Sequence, residues 1–318
     1  MKKIAILTRD CAGVNAALRA IVRTAYGYHI EIVGVLKGYD GLIDGKFITL
    51  HRGSVSGIIN LGGTILKTSR SKRFLTDIGQ KKAIDNLHEN NIDGLIVIGG
   101  NGSLGGAHNL AKKSKIPVIG IPATIDNDIT GVDLSIGADT AVNVALDAVD
   151  KIRDTATSLE RIFIVEVMGR ESGYIALQVA LAGGCEEVLC PEKEFTIEAM
   201  CTEIRQGNVK GKSSWIIIVA EGKAKAHDVA RIITKKTGFE TRVAVLGHIQ
   251  RGGHPTAVDR ILASQLGNYA VKVLRDGQTD LCVTVKNNTL DTIPLAVAIQ
   301  PKKILVAETY KLIKLLTR

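Results

Sequence analysis

Two carboxylates stand two residues apart in "PATIDNDI", at Asp126 and Asp128, just past a run of β-branched residues and behind the hydroxyl of Thr124. Such a pair can divide labour: one carboxylate takes the proton of an attacking alcohol, while the other helps hold Mg²⁺ or orients the first. The same residues also suit an Asx-rich turn that only closes a strand.

A second stretch, "VIGGNGSLGGAHNL" at residues 97 to 110, runs an apolar strand through glycines into a helix start. Gly100, Gly102 and Gly105 satisfy G-x-G-x-x-G, with Asn101 and Ser103 between them and Gly106 after. Glycine lets backbone amides approach phosphate oxygens, and the helix N-terminus adds a favourable dipole. Asp126 falls about where a dinucleotide fold places its ribose-binding acid, so a dehydrogenase competes with a phosphate-transfer reading here. A turn whose glycines serve only close helix packing is the third possibility. The polar residue of the turn is an amide, Asn101, where a metal site would want a carboxylate.

Cations complete the picture. "VEVMGRESG" and "LGHIQRGGHP" put Arg170, His248 and Arg251 beside glycines. Arginine offers a planar, permanently charged fork that grips phosphate in two bonds, and small neighbours let the ligand come close. Each arginine alone would more often be a surface ion pair. Arg19, Arg23, Arg153, Lys210 and Lys212 form a second basic group on helical or loop segments, which spacing alone reads as solvated helix faces.

These residues must be carried by something. Apolar, β-branched runs recur as "KIAILT" 3–8, "IEIVGVL" 30–36, "GLIVIGG" 94–100, "IPVIGIPAT" 116–124, "RIFIVEVMG" 161–169, "SWIIIVAEG" 214–222 and "RVAVLGH" 242–248. Between them lie helix-like segments such as "AVNVALDAVDKIRD", where Val142, Ala145, Val149 and Ile152 recur at three- and four-residue steps. Strand and helix in repetition predict an α/β fold with parallel sheets. Polar residues follow each run, and open parallel sheets bind ligands beyond their strands' carboxyl ends.

Composition agrees. The 318 residues favour two domains. Hydrophobic residues make up 45% and aromatics only 4%, so the core rests on Ile, Val, Leu and Ala. The chain holds 41 Lys and Arg against 32 Asp and Glu, a net charge of +9, with the signs interleaved. Without a basic block or stacking aromatics, nucleic acid is not the expected partner, whereas small phosphate esters are. No apolar run is long enough for a membrane span and no signal peptide is evident, so a cytoplasmic protein is expected. Cys11, Cys185, Cys190, Cys201 and Cys282 are widely spaced and without a C-x-x-C pair, so free thiols are expected rather than disulfides or zinc.

Taken together, "TIDNDI", "DKIRDTATS", "VEVMGRESG", "IIIVAEG", "GFETRVAVLGHIQRGGHPTAVDR" and "LAS" resemble the bacterial ATP-dependent 6-phosphofructokinases (phosphofructokinase A family) over nearly the whole chain. The resemblance displaces the dehydrogenase reading and implies transfer of the ATP γ-phosphoryl group to the 1-hydroxyl of fructose 6-phosphate. It implies Asp126 as base, with Thr124 and Arg170 at the transferring phosphoryl and Asp128 positioning Mg²⁺. Sugar phosphate would be gripped by Met168, Gly169, Arg170, Glu221, His248 and Arg251, with Arg161 and Arg242 reaching in from a neighbouring subunit of a homotetramer. Tyr39, Arg70, Gly100, Asn101, Gly102, Ser103 and Gly106 would serve the nucleotide. Arg19, Arg23, Arg153, Glu186, Lys210 and Lys212 would form an effector site for ADP or phosphoenolpyruvate, with Lys210 where the family has an arginine. Gly102 and Ala123 are ATP-type rather than pyrophosphate-type residues.

The resemblance also implies two Rossmann-like α/β domains. A larger, nucleotide-binding one would take residues 1–137 and 250–300, and a smaller, sugar-phosphate-binding one residues 138–249 and 301–318. The nucleotide side departs from the family. "LTRDCAGVNAAL" is two residues shorter than the usual first loop and carries Arg9, Asp10, Cys11 and Ala12, side chains expected to crowd it. Leu75 replaces a basic residue, and Asn101 replaces an aspartate that serves Mg²⁺ of the ATP complex. An amide contributes no charge toward a divalent cation, so impaired turnover, or a silent paralogue that binds sugar phosphate in a regulatory role, is the alternative.

Overall fold

The computed structural model describes residues 1–302, 304 and 306–317; residues 303, 305 and 318 of the expected C-terminal segment lie outside the described residues. In chain order the elements begin β1 (Lys3–Thr8), α1 (Val14–Gly27), β2 (Glu31–Val35), α2 (Gly38–Ile43), β3 (Phe47–Leu50), α3 (Asp77–Glu89), β4 (Gly94–Gly99), α4 (Asn101–Lys113) and β5 (Val118–Pro122). They continue with α5 (Ala138–Leu159), β6 (Ile162–Val167), α6 (Tyr174–Ala182), β7 (Glu187–Leu189), α7 (Ile197–Val209), β8 (Trp215–Ala220), α8 (Ala226–Thr237) and β9 (Thr241–Val245). The chain closes with α9 (Ala257–Arg275), β10 (Leu281–Lys286), β11 (Thr289–Pro294), α10 (Leu295–Ala298) and α11 (Val306–Leu316). All seven apolar runs of the sequence are strands.

The chain divides into two compact units, one of Met1–Thr140 with Arg251–Lys302, the other of Ala141–Gln250 with Lys303–Arg318. The first is built on a seven-stranded sheet of order β11-β10-β5-β4-β1-β2-β3. Its five inner strands run parallel, while β3 pairs antiparallel with β2 and β11 with β10, so each edge of the parallel core is closed by a reversed strand. Every residue of β4 is buried, as a central strand covered by helices on both faces requires. On α1, Val14, Ala17, Leu18, Ile21 and Ala25 share the buried face. α9 comes close to it: a Cβ at Gly267 would fall 2.7 Å from the Ala17 carbonyl oxygen. Thr76 caps α3 by accepting from the Gly79 amide, and Thr256 caps α9 by accepting from that of Asp259.

The second unit holds a four-stranded, wholly parallel sheet of order β7-β8-β6-β9. Its core joins Ile162, Ile164, Ile217 and Val219 to Met200, Ile204 and Ile233. On α5 the buried face includes Ala138, Ala141, Ala145, Val149 and Ala156, whereas Val142 and Ile152 are only half-buried. The apolar stripe is thus turned slightly from the one its larger side chains suggest, with alanines admitting close packing. All five cysteines are free and buried. Among the described residues no helix is long and apolar enough to cross a membrane.

Candidate active site

Three neighbouring strands of the first unit, β1, β4 and β5, deliver their carboxyl ends to one cavity of about 370 Å³. Arg9 and Asp10 follow β1, Gly100 to Ser103 follow β4 as the first turn of α4, and Ala123 to Asp126 with Asp128 follow β5. Tyr39, Ser69, Arg70, Ser71, Phe74, Leu75 and Arg251 complete the wall. The sequence-predicted Thr124, Asp126, Asp128, Tyr39, Arg70, Gly100, Asn101, Gly102, Ser103 and Arg251 therefore come together in one place.

The carboxylate segment is held from behind. The Asp126 amide donates to Thr124 Oγ1 at 3.3 Å, and Ser135 Oγ donates to the Thr124 carbonyl at 2.7 Å. Asn127 adopts a left-handed conformation at φ 47°, which Asn tolerates better than most residues, and splays its neighbours apart. Its Oδ1 accepts from the Ser135 amide at 2.9 Å and its Nδ2 donates to the Asp133 carbonyl at 3.0 Å. Lys302, its ionisation disfavoured by burial, donates to the carbonyls of Asn127 and Val132 at 2.9 and 2.7 Å. Asn127 and Lys302 are positioning residues that sequence reasoning missed. An amide between two acids was a usable signal for the first; nothing local marks the second.

Asn101 donates its Nδ2 to Asp128 Oδ2 at 2.7 Å, while its Oδ1 is buried with no hydrogen-bond partner. Among the described residues no group of three His, Cys, Asp or Glu side chains could cage a metal. Three cavity carboxylates, Asp10, Asp126 and Asp128, and an unpartnered amide oxygen are hard donors, few in number. That fits Mg²⁺, which keeps much of its water and takes phosphate oxygens instead of an all-protein cage.

The short first loop is less crowded than its sequence suggests. Cys11 and Ala12 are buried away from the cavity, with Cys11 Sγ donating to the Ile136 carbonyl at 3.2 Å and burial pushing the thiol's pKa up. Only Arg9 and Asp10 of the four reach the wall. Arg9 Nη1 donates to the Ser69 carbonyl at 2.5 Å and Thr68 Oγ1 at 3.2 Å, and Arg251 Nη2 donates to the Asp10 carbonyl at 3.0 Å. Leu75 is exposed on the rim.

Gly106 lies behind the cavity and not on its wall. A Cβ there would come 2.6 Å from the Tyr39 hydroxyl, so its absence makes room for the ring. Tyr39 stacks on Phe74 at 3.9 Å and donates to the Ser103 carbonyl at 2.6 Å, anchoring the first turn of α4.

The second unit gathers a polar group of its own. Met168, Gly169 and Arg170 follow β6, Glu221 follows β8 and His248 follows β9, all at the carboxyl edge of that sheet. Gly169 has φ 134° and its missing Cβ would fall 2.3 Å from the Ser172 carbonyl oxygen, so this turn admits glycine alone. Arg170 Nε lies 3.9 Å from Glu221 Oε1. Buried Gln250, absent from the sequence-based expectation, accepts from the Met168 amide at 3.3 Å and donates to the Gly247 carbonyl at 3.1 Å. Arg161 and Arg242 sit at the opposite edge of the sheet, both engaged by Glu240, with Arg161 Nε at 2.9 Å.

Of the second basic group, Arg19 and Arg23 project from α1 in the first unit, the others from the second. Glu186, Lys210 and Lys212 line a cavity of about 410 Å³ with Trp215 and Lys314. Lys212 reaches Glu186 Oε1 at 3.1 Å and lies 4.9 Å from the centre of the Trp215 ring. Arg153 donates to the carbonyls of Gly183 and Gly184, the latter at 3.1 Å.

Comparison with known proteins carries the same architecture. A family model described as Phosphofructokinase matches residues 3–274. The chain is 48% identical to the ATP-dependent 6-phosphofructokinase of Thermotoga petrophila over 319 aligned residues, covering 100% of both chains. It is 51% identical to that of Bacillus licheniformis over 292 residues, 91% of each. Among solved structures it is similar to Pichia pastoris phosphofructokinase in the T-state, with TM-score 0.89 and 32% identity over 99% of this chain, which spans only 39% of that longer one. The pyrophosphate-dependent phosphofructokinase of Marinobacter aquaeolei, at TM-score 0.87 and 23% identity, shares the fold.

Proposed function

Since the chain belongs to the phosphofructokinase family, we propose that it transfers the γ-phosphoryl group of ATP to the 1-hydroxyl of fructose 6-phosphate, giving fructose 1,6-bisphosphate in glycolysis. The observation that carries this reading is the cavity at the ends of β1, β4 and β5. There Thr124, Asp126 and Asp128 share one wall system with the N-terminal turn of α4 and with Arg9, Arg70 and Arg251.

Phosphoryl transfer needs positioning and positive charge more than covalent help. Asp126 takes the proton of the attacking sugar hydroxyl, and Thr124 and Arg170 meet the transferring group. Backbone amides of α4's first turn, with Gly102 and Ser103, face the donor's phosphates, and Tyr39 holds that turn in place. Asp128, with the Asn101 amide oxygen beside it, would hold Mg²⁺, which when bound neutralises charge on the donor's phosphates. Met168, Gly169, Arg170, Glu221, His248 and Arg251 grip the sugar phosphate. Arg161 and Arg242, paired with Glu240 within one chain, serve a neighbouring subunit of a homotetramer. Arg19, Arg23, Arg153, Glu186, Lys210 and Lys212 take a nucleotide diphosphate or phosphoenolpyruvate effector. The larger unit thus handles nucleotide and the smaller sugar phosphate, in the cytoplasm.

One observation favours a second reading, a silent sugar-phosphate-binding subunit: Asn101 brings no charge to the metal and occupies one Asp128 oxygen. Incubation with MgATP and fructose 6-phosphate decides between them. Sustained formation of fructose 1,6-bisphosphate is expected; bound fructose 6-phosphate without product would establish the silent subunit instead.

A further inference from the structure

Arg9 occupies the carboxyl end of β1, in the wall shared by Arg70, Arg251, Thr124 and Asn101. Its aliphatic stem lies against Gly99, where a Cβ would meet Ser103 at 2.6 Å and Arg9 Cγ at 2.9 Å, so the missing side chain leaves room for both. The guanidinium is oriented by Nη1, which makes both bonds to the 68–69 backbone and hydroxyl. The neighbouring carboxylate is shared: Asp10 offsets part of the Arg9 charge, and Arg251 Nε also lies 3.9 Å from Asp10 Oδ2. Burial, then Arg251, then Arg70 all disfavour the charge on Arg9. Three guanidinium groups with the Asp10 carboxylate beside them leave a net positive charge on this part of the wall, and arginine's fork suits phosphate oxygens. In the same cavity, the position that could have added a fourth carboxylate to Asp10, Asp126 and Asp128 is the uncharged Asn101, its Nδ2 spent on Asp128.

We propose that Arg9 is a phosphoryl-donor contact, a cation built into the shortened loop that meets the phosphates of a nucleoside triphosphate and lets them bind with little help from a divalent metal. The inference rests on the kinase reading above. Positive charge that other sites borrow from Mg²⁺ is here supplied in part by the chain. Arg9 has no role in proton transfer, so its effect falls on donor binding.

Calorimetric titration with ATP, once in EDTA and once with excess Mg²⁺, tests this. The unaltered protein should lose no more than about tenfold in ATP affinity when the metal is withheld. Arg9→Met, which keeps the stem against Gly99, should weaken metal-free ATP by about tenfold or more and MgATP by less, while Arg9→Lys should recover much of the loss. Asn101→Asp should weaken metal-free ATP and tighten Mn²⁺ read by electron paramagnetic resonance. ATP binding that collapses without metal in the unaltered protein, or an Arg9→Met variant of unchanged metal-free affinity, overturns the inference while the kinase reading stands if product still forms. Absence of ATP binding under both conditions overturns both.

Discussion

The side-chain amide of Asn101 donates to the Asp128 carboxylate across 2.7 Å, joining the first turn of α4 to the loop after β5. The bond holds the two strand ends together without a cation. An aspartate at 101 would set two carboxylates against each other at the same distance. Asn101→Asp should therefore destabilise the metal-free protein by about 1–3 kcal/mol, and Mg²⁺ should restore the loss. Thermal melts in EDTA and in Mg²⁺ measure it; equal melting temperatures in EDTA would mean the bond carries no weight.

In the proposed reaction Asp126 receives the sugar hydroxyl's proton. Asp126→Asn keeps its size and removes its basicity, so kcat should fall by about 10²–10⁴ while fructose 6-phosphate still binds. Turnover equal to the parent would remove it from that role.

Gly106 makes room for Tyr39, and a methyl group there meets a buried ring instead of a flexible chain end. Gly106→Ala should cost about 1–3 kcal/mol by overpacking and release the Tyr39 bond to Ser103. Urea denaturation reads the first effect and a raised KM for ATP the second. A variant with parent stability and KM would show that α4 shifts without consequence.

Asp40 carries a pH signature into the nucleotide wall. Its carboxylate accepts from the hydroxyls of Ser71 and Ser69, the latter at 2.7 Å, which bracket Arg70, and the Ser71 bond chiefly holds its pKa below the ordinary carboxylate value. With the folded pKa depressed, this contribution is present above the unfolded value near pH ~3.9 and is lost as pH falls through the folded pKa. Protection of the amides of residues 69–71, the intrinsic exchange rate at each pH divided by the observed one, should fall as the solution is acidified through that range. In Asp40→Asn that protection should be low already at neutral pH and change little on acidification.

The effector assignment predicts that ADP or phosphoenolpyruvate shifts fructose 6-phosphate affinity, by at least about fivefold. Lys212→Met should abolish the shift. Saturation curves with and without each ligand test it, and curves that superimpose for the unaltered protein would leave the basic group as surface charge.

The seven apolar runs were legible as strands because a parallel strand covered by helices is a nearly continuous apolar run, and that pattern is local, present even in edge strand β9, which has no fully buried residue. The polar residues after those runs were legible for the same reason. β3, β7, β10 and β11 were not named from the sequence: β3 and β11 are reversed edge strands that expose one side, with Thr289, Leu290 and Asp291 of β11 exposed, β7 is only three residues long, and the apolar run of inner β10 is broken by Thr284. Residue types and order also carried the family, down to Asp126, Asp128 and Asn101. What those residues touch was decided by tertiary structure. Cys11 and Ala12 turn inward while Arg9 turns to the cavity, Gly106 serves a ring far away in sequence, and Asn101 spends its amide on Asp128. Arg161 and Arg242 find Glu240 at the far edge of their sheet. Periodicity records which face of an element is apolar; strand order and loop packing choose its partners, and those depend on the whole sheet being assembled.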